Sequence, residues 1–240
     1  MSVLRYDFHI HSALSPCADD DMTPGNIAGM AMLAGLDVIA LTDHNSCLNS
    51  PVTARACASR GILFVPGMEL TTAEEVHVLC LLPTLGAAAD FSECVRAALP
   101  DCPNDPEIFG RQLVFDYRDE IVGEEELMLA GSSSIGIYDV FALLRSYGGV
   151  ALPAHVTRPS FSVMSNLGRY DPGMGFTAFE LTGPSEPTKV RREIPALAGL
   201  NCIRDSDAHA LRAIEDGRHL IKLEEDSPAG VIEALLRGTL

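Results

Sequence analysis

The chain has 240 residues, 47% of them hydrophobic, and its 17 Lys+Arg against 33 Asp+Glu give a formal net charge of −16. That length and apolar content suit one sizeable core, and no apolar run is long enough to span a bilayer. The charge argues against stable binding to nucleic acid or to an anionic membrane, since both rely on Lys and Arg neutralising phosphates. Seven scattered cysteines without a CxxC pair, and an N-terminus without the layout of a signal peptide, point to a reducing, cytoplasmic setting.

The opening stretch YDFHIHS (6–12) alternates polar and apolar residues, as a half-buried strand does. Strict alternation predicts Asp7, His9 and His11 on one face and Tyr6, Phe8 and Ile10 on the other. A helix follows with Thr23 as N-cap, Pro24 at its first position and Gly35 past its end. LDVIALTDH (36–44) reads as a strand, and residues 50–61 repeat the Ser-Pro start and Gly stop of a helix. ILFVPGMEL and EEVHVLCLL are further strands, and DFSECVRAAL is predicted to be a helix capped at Asp90 with Glu93 three residues on. Residues 84–134 break the pattern and are expected to hold an inserted cap or hairpin. Beyond them come a helix near 137–147, the strands GGVALPAH and FTAFELTG, a helix near 187–198 and the strand LNCIRDSDAH. The chain ends with the strand RHLIKLEE and a helix opened by Ser227 and Pro228. The alternation predicts an α/β domain over 1–240 with a parallel sheet covered by helices, its strand ends polar as at the rim of a barrel.

Of the seven histidines, six fall in or just after predicted strands. They are His9, His11, His44, His77, His155 and His209, and Glu69 and Asp207 end strands of their own. His219 lacks polar company of this kind and reads as structural. A barrel would gather the strand-end set on one rim. Imidazole and carboxylate suit Zn, Mn or Fe, with Mg as a further candidate, and this many donors exceed what one tetrahedral ion needs. Two or three divalent ions are expected, and paired metals clamp the attacking and leaving oxygens of a phosphate displacement.

These motifs, DFHIHS, GLDVIALTDHNS, VPGMELTT, EVHVLCLL, VALPAHVTRP and DSDAH, resemble the polymerase-and-histidinol-phosphatase (PHP) family, and its stand-alone metal-dependent phosphoesterases in particular. The resemblance implies a distorted (β/α)7 barrel and a di- or trinuclear centre. It places His9, His11 and Asp207 on one metal and Glu69 as the bridge to a second. His77 and His155 complete the second, and His44 and His209 hold the third. Asp43 matches a position beside the site that orients a ligand or handles a proton. The chain departs from the pattern in SALSPCADDDMTP, where many relatives supply a further histidine. Asp19 is the expected substitute, Cys17 and Asp21 are the alternatives, and a plain capping loop before Thr23 is the other reading.

The implied reaction is hydrolysis of a phosphate ester of a small molecule, a nucleotide or phosphorylated metabolite, with Arg158 gripping phosphate ahead of Arg169 and Arg191. Histidinol-phosphate hydrolysis is a narrower alternative. A PHP-like module that binds metal or nucleotide without turnover is a second class. Metal-dependent C–N hydrolysis is a third, disfavoured because the only lysines, Lys189 and Lys222, lie far from every ligand motif.

Overall fold

The computed structural model describes residues 1–237. Its elements, in order, are β1 (Ser2–Ile10), α1 (Pro24–Leu33), β2 (Val38–Leu41), α2 (Ser50–Ala58), β3 (Leu63–Thr71), β4 (His77–Leu81) and α3 (Leu85–Ala98). Then follow α4 (Pro106–Phe109), β5 (Leu113–Phe115), β6 (Ile121–Glu124), α5 (Ile137–Ser146), β7 (Val150–Pro153) and α6 (Val163–Leu167). The last elements are β8 (Ala178–Leu181), α7 (Pro187–Glu193), β9 (Asn201–Arg204), β10 (Leu220–Leu223) and α8 (Pro228–Arg237).

Six strands form one sheet in the order β10-β1-β2-β3-β4-β7, and β8 pairs with β9 in a second. The expectation of a purely parallel sheet is corrected. Only β1–β2, β2–β3 and β8–β9 are parallel, whereas β3–β4, β4–β7 and β1–β10 are antiparallel. The cause lies in the chain between Thr71 and His77, which is too short for a crossover helix, so β4 must return beside β3. All eight of these strands nevertheless contribute to one apolar cluster. Phe8, Val38, Val65, Leu79, Leu152, Ala178, Ile203 and Ile221 meet there with Val231 and Leu235 of α8. A flat sheet could not bring both edges and the middle to one cluster, so the sheets curl as a half-barrel, with α8 closing one end. A second cluster packs α1 and α2 on the outer face, and a third packs α3, α5 and α7.

Strict alternation fails in β1. Tyr6 and Phe8 point into the curl, but Ile10 joins Ile27 and Ile39 in the outer cluster. The register against β2 slips between Asp7 and Ile10, where three steps on β1 match two on β2. Such a bulge re-aims the residues after it, and His9 and His11 lie at this point. Helix α3 begins at Leu85 rather than after Asp90, because the Thr84 hydroxyl accepts from the Ala87 N–H at 3.1 Å. The rest of the irregular segment forms the β5–β6 hairpin, docked on the loops after β1 and β2. Leu113 N–H donates to the Ala13 carbonyl, and the Asn49 and Asn45 side chains bond Leu113, Leu129 and Gly131. No helix among the described residues is long and apolar enough to cross a membrane.

Candidate metal centre

Glu69, near the end of β3 and 1% exposed, is the hub of the rim. Its Oε1 lies 2.9 Å from His77 Nδ1, 3.0 Å from His155 Nε2 and 3.3 Å from His9 Nε2. Its Oε2 lies 3.1 Å from His44 Nδ1 and 3.3 Å from His11 Nε2. Asp207 Oδ1 stands 3.3 Å from His9 Nε2 and 3.5 Å from His11 Nε2. The imidazole stack closes on the far side, with the His11 and His209 ring centres 4.1 Å apart. The elements responsible are scattered along the chain: β1 and its bulge, the loops after β2, β7 and β9, and the paired strands β3 and β4. Backbone bridges His44↔Glu69 and Ile10↔Ala208 tie the loop segments to the strand ends.

The donor atoms fit divalent cations. Two ligands each about 2.1 Å from one ion stand about 3.0–3.4 Å from each other, the spacing seen here. His44 Nδ1, His77 Nδ1 and Asp207 Oδ1 are buried without a hydrogen-bond partner, although each has donor atoms of its neighbours within about 3.5 Å. Polar atoms so close, yet not directed at one another, converge on shared points instead. Three groups, His9–His11–Glu69, His44–Glu69–His77 and His11–His44–His209, each offer ligand atoms within 4.8 Å of one another.

The far nitrogens of the rings set their orientation. His9 Nδ1–H donates to Glu180 Oε1 at 2.8 Å, and His209 Nδ1–H donates to the Asp207 carbonyl at 2.8 Å. His11 Nδ1 lies 2.9 Å from Ser15 Oγ, which itself donates to Asp43 at 2.7 Å. Each contact selects the tautomer in which a neutral ring turns its Nε2 lone pair to the cluster. Asp43 is thus buried behind His11, and its carboxylate reaches that ring through Ser15. Burial raises its carboxyl above the ordinary value, against His11 and the Ser12 and Ser15 hydrogen bonds.

Charge in the cluster is strongly coupled. Burial opposes ionisation of Glu69, but His77, His9 and His44 hold its carboxyl well below the usual range. Burial disfavours charge on His11 as well, yet the neighbouring carboxylates of Asp207 and Glu69 push it up to about 9. His209 falls to about 4 through burial and the nearby His11. His155, Asp207 and Phe161 all have positive φ, at 29°, 54° and 55°, a strain concentrated at functional sites.

A cavity of about 510 Å³ opens over the cluster, lined by Cys17, His44, His77, Arg158, Asp207 and His209, with Ala130 and Phe161 at its wall. Arg158 Nη1 donates to Asp207 Oδ2 at 3.0 Å and keeps further N–H groups toward the cavity. The structure does not bring Asp19 into the cluster. Its side chain is exposed and belongs to none of the three ligand groups, while its N–H donates to the His209 carbonyl at 2.8 Å. Cys17, its alternative, lines the cavity. Glu180 went unread in the sequence, although it is fully buried and also accepts the His155 N–H at 2.6 Å. Like Glu69 it is a carboxylate late in an apolar strand, but only its pairing with His9 gives that position meaning.

No protein-family model matches the chain, and no curated protein matches it. Solved structures do. The lesion-specific endonuclease Q of Pyrococcus furiosus superposes with a TM-score of 0.72 at 20% identity, over 98% of this chain and 56% of that one. A candidate metal-dependent phosphoesterase of Bifidobacterium adolescentis superposes at 0.61 and 20% identity, over 98% and 96%. An amidohydrolase of Chromobacterium violaceum, solved with sulfate and no metal, superposes at 0.57 and 21% identity, over 93% of each chain. The fold is therefore the one shared by these three hydrolases, and this chain spans about 56% of the endonuclease's length. One expectation is overturned here. Endonuclease Q is also solved with a 27-mer duplex carrying an abasic lesion at the active site, matching 98% of this chain at a TM-score of 0.72. A net charge of −16 therefore does not restrict this fold to small substrates free of nucleic acid. Global charge does not set the potential over one rim, and bound divalent cations add positive charge where side chains do not.

Proposed function

We propose that this chain is a metal-dependent phosphoric ester hydrolase, a distorted (β/α)7 barrel of the PHP type that holds two or three divalent ions of Zn, Mn or Fe. The carrying observation is the Glu69 carboxylate, buried within 3.3 Å of five imidazole nitrogens on four separate segments. In the proposed centre, His9, His11 and Asp207 would hold one ion and His77 and His155 a second, with Glu69 shared between the two, and His44 and His209 would hold a third. When bound, the ions supply Lewis acidity toward a phosphoryl oxygen and lower the pKa of coordinated water.

The protein's own groups do the rest. Arg158, anchored on Asp207, presents its remaining N–H groups to phosphate oxygens. Glu180 and the Asp43–Ser15 pair fix the rings of His9 and His11. The cavity, about 510 Å³, admits one nucleotide-sized unit, and the substrate is a phosphate ester of a nucleotide, free or within a strand. The duplex-bound neighbour supports the second form. The sulfate-bound neighbour favours an oxyanion ligand for this fold.

The test is a hydrolysis panel with Zn-, Mn-, Fe- or Mg-loaded protein. It contains nucleoside monophosphates, histidinol phosphate and a duplex with one abasic site. Product release that disappears in the His9→Ala/His77→Ala double variant is expected. Release that survives it would place the chemistry elsewhere, and tight metal binding without turnover on any substrate would leave a binding module.

A further inference from the structure

A second cavity, of about 460 Å³, lies at the seam where β9 approaches β1 and β10. It is lined by Arg191 of α7, Asn201 and Arg204 of β9, Tyr6 of β1, and Arg218 and His219 just before β10. It shares no lining residue with the metal cavity. In a chain where acids outnumber bases 33 to 17, three guanidiniums and an imidazole line this cavity and no carboxylate does. Among the described residues none of the three arginines has a carboxylate oxygen within 4.0 Å, whereas Arg5, Arg96, Arg111, Arg158 and Arg237 all do.

Two of the three arginines are also held in place. Arg191 Nη2 donates to the Leu200 carbonyl at 2.8 Å, and its guanidinium sits 5.5 Å from the centre of the Phe179 ring. Arg204 donates through Nη2 to the Gly183 carbonyl, and its backbone N–H donates to the Tyr6 hydroxyl at 3.2 Å. The Tyr6 N–H in turn donates to the His219 carbonyl at 3.1 Å, fixing the fourth member. Each guanidinium has five N–H donors. Arg191 and Arg204 engage only one side-chain nitrogen each, and Arg191 Nε is buried without an acceptor. Burial and the charges of Arg204 and Arg218 hold His219 below its ordinary value, with Glu215 opposing. The seam thus concentrates like charge and unused donors at pre-set positions, and an anion with several oxygens relieves both.

We infer that this seam is a binding site for a phosphate oxyanion, built by Arg191, Arg204, Arg218 and His219 and separate from the metal centre. The shared chemistry is a phosphate group. Its source is either a free anion or the backbone of a strand, and a global charge of −16 makes such a local basic site the point where a phosphate would dock. The inference does not depend on the hydrolase reading, since it uses no metal ligand.

The test follows the His219 ring by NMR in the full-length, zinc-loaded chain as inorganic phosphate is added. A second arm adds a DNA duplex without terminal phosphates. A saturable His219 shift is expected, absent with chloride at equal concentration. Arg218→Gln and Arg204→Gln should each weaken it about tenfold, the loss of one charge-assisted hydrogen bond. Arg218 is exposed, so its variant tests the site even if Arg204→Gln folds poorly. A shift with phosphate alone identifies a free anion, and a shift with duplex identifies a strand. No shift with either probe, an equal response to chloride, or wild-type affinity in Arg218→Gln would overturn the inference.

Discussion

Glu69→Gln removes one negative charge from the rim while keeping side-chain shape. Its carboxylate is 1% exposed, so solvent screens it little, and its two oxygens face five imidazole nitrogens at 2.9–3.3 Å. Unit charges about 4 Å apart interact by about 4 kcal/mol at an effective dielectric near 20. A divalent ion carries twice that charge and sits closer, so about 4 kcal/mol is a lower bound for what each bridged ion loses. That corresponds to about a thousandfold weaker binding. Elemental analysis after dialysis against a metal buffer, together with calorimetric titration, reads the effect directly. The wild type should retain two or more ions per chain and the variant none at the same free metal concentration. The amide can still accept a hydrogen bond, so the fold should persist, with far-UV circular dichroism unchanged. A Glu69→Gln protein that holds the same number of ions with the same affinity would refute the bridging role, however active it is.

Glu180→Ala should lower metal affinity about ten- to a hundredfold without removing a ligand, because His9 and the His155 backbone lose the group that orients them; calorimetry beside the Glu69 variant measures it. Asp19→Ala should leave metal content and affinity unchanged, since its carboxylate is exposed and outside every ligand group. Burial raises the Cys57 thiol from 9.0 to about 12, so its alkylation should be slow at neutral pH and accelerate as pH rises. The sign for stability follows: the unfolded thiol ionises near 9 and the folded one near 12, so stability intact below about pH 9 declines between those values. Mass spectrometry after a timed iodoacetamide pulse should find exposed Cys102 labelled well before Cys57. Leu79→Ala, at the fully buried middle of the curled sheet, should cost about 2–5 kcal/mol in denaturant unfolding, with little change in metal content.

The residues that converge on Glu69 were readable because each carries a local signal: a polar side chain at the end of an apolar strand. Such a signal survives in one dimension, because strand and helix periodicities mark where each strand stops. What periodicity does not carry is strand direction. The EEVHVLCLL stretch looks the same whether it runs with its neighbour or against it. Only the shortness of the turn between Thr71 and His77 decides that it returns antiparallel. The slip in β1 was equally hidden, since a bulge leaves composition untouched and is recognised only against a partner strand.

The same reasoning explains which site residues were visible and which were not. Histidine is rare enough that six at strand ends demand a cause, so the candidate ligands stood out. Glu180 did not, because a lone glutamate in an apolar strand is informative only when its partner His9, 171 positions earlier, is placed beside it. Asp19 is expected only as a substitute for the histidine that relatives supply from this loop, and its side chain, like those of Asp20 and Asp21, faces solvent. Of the arginines at the β9 seam, the sequence marks only Arg191, as a phosphate-gripping candidate behind Arg158, and the structure places it away from the cavity over Glu69. Their meaning lies in what surrounds them, three guanidiniums with no carboxylate oxygen within 4.0 Å among the described residues, and such spacing is a property of space that no stretch of sequence displays. Net charge misled for that reason too, because a total of −16 says nothing about the local potential over two small concave regions, one lined by histidines and the other by arginines.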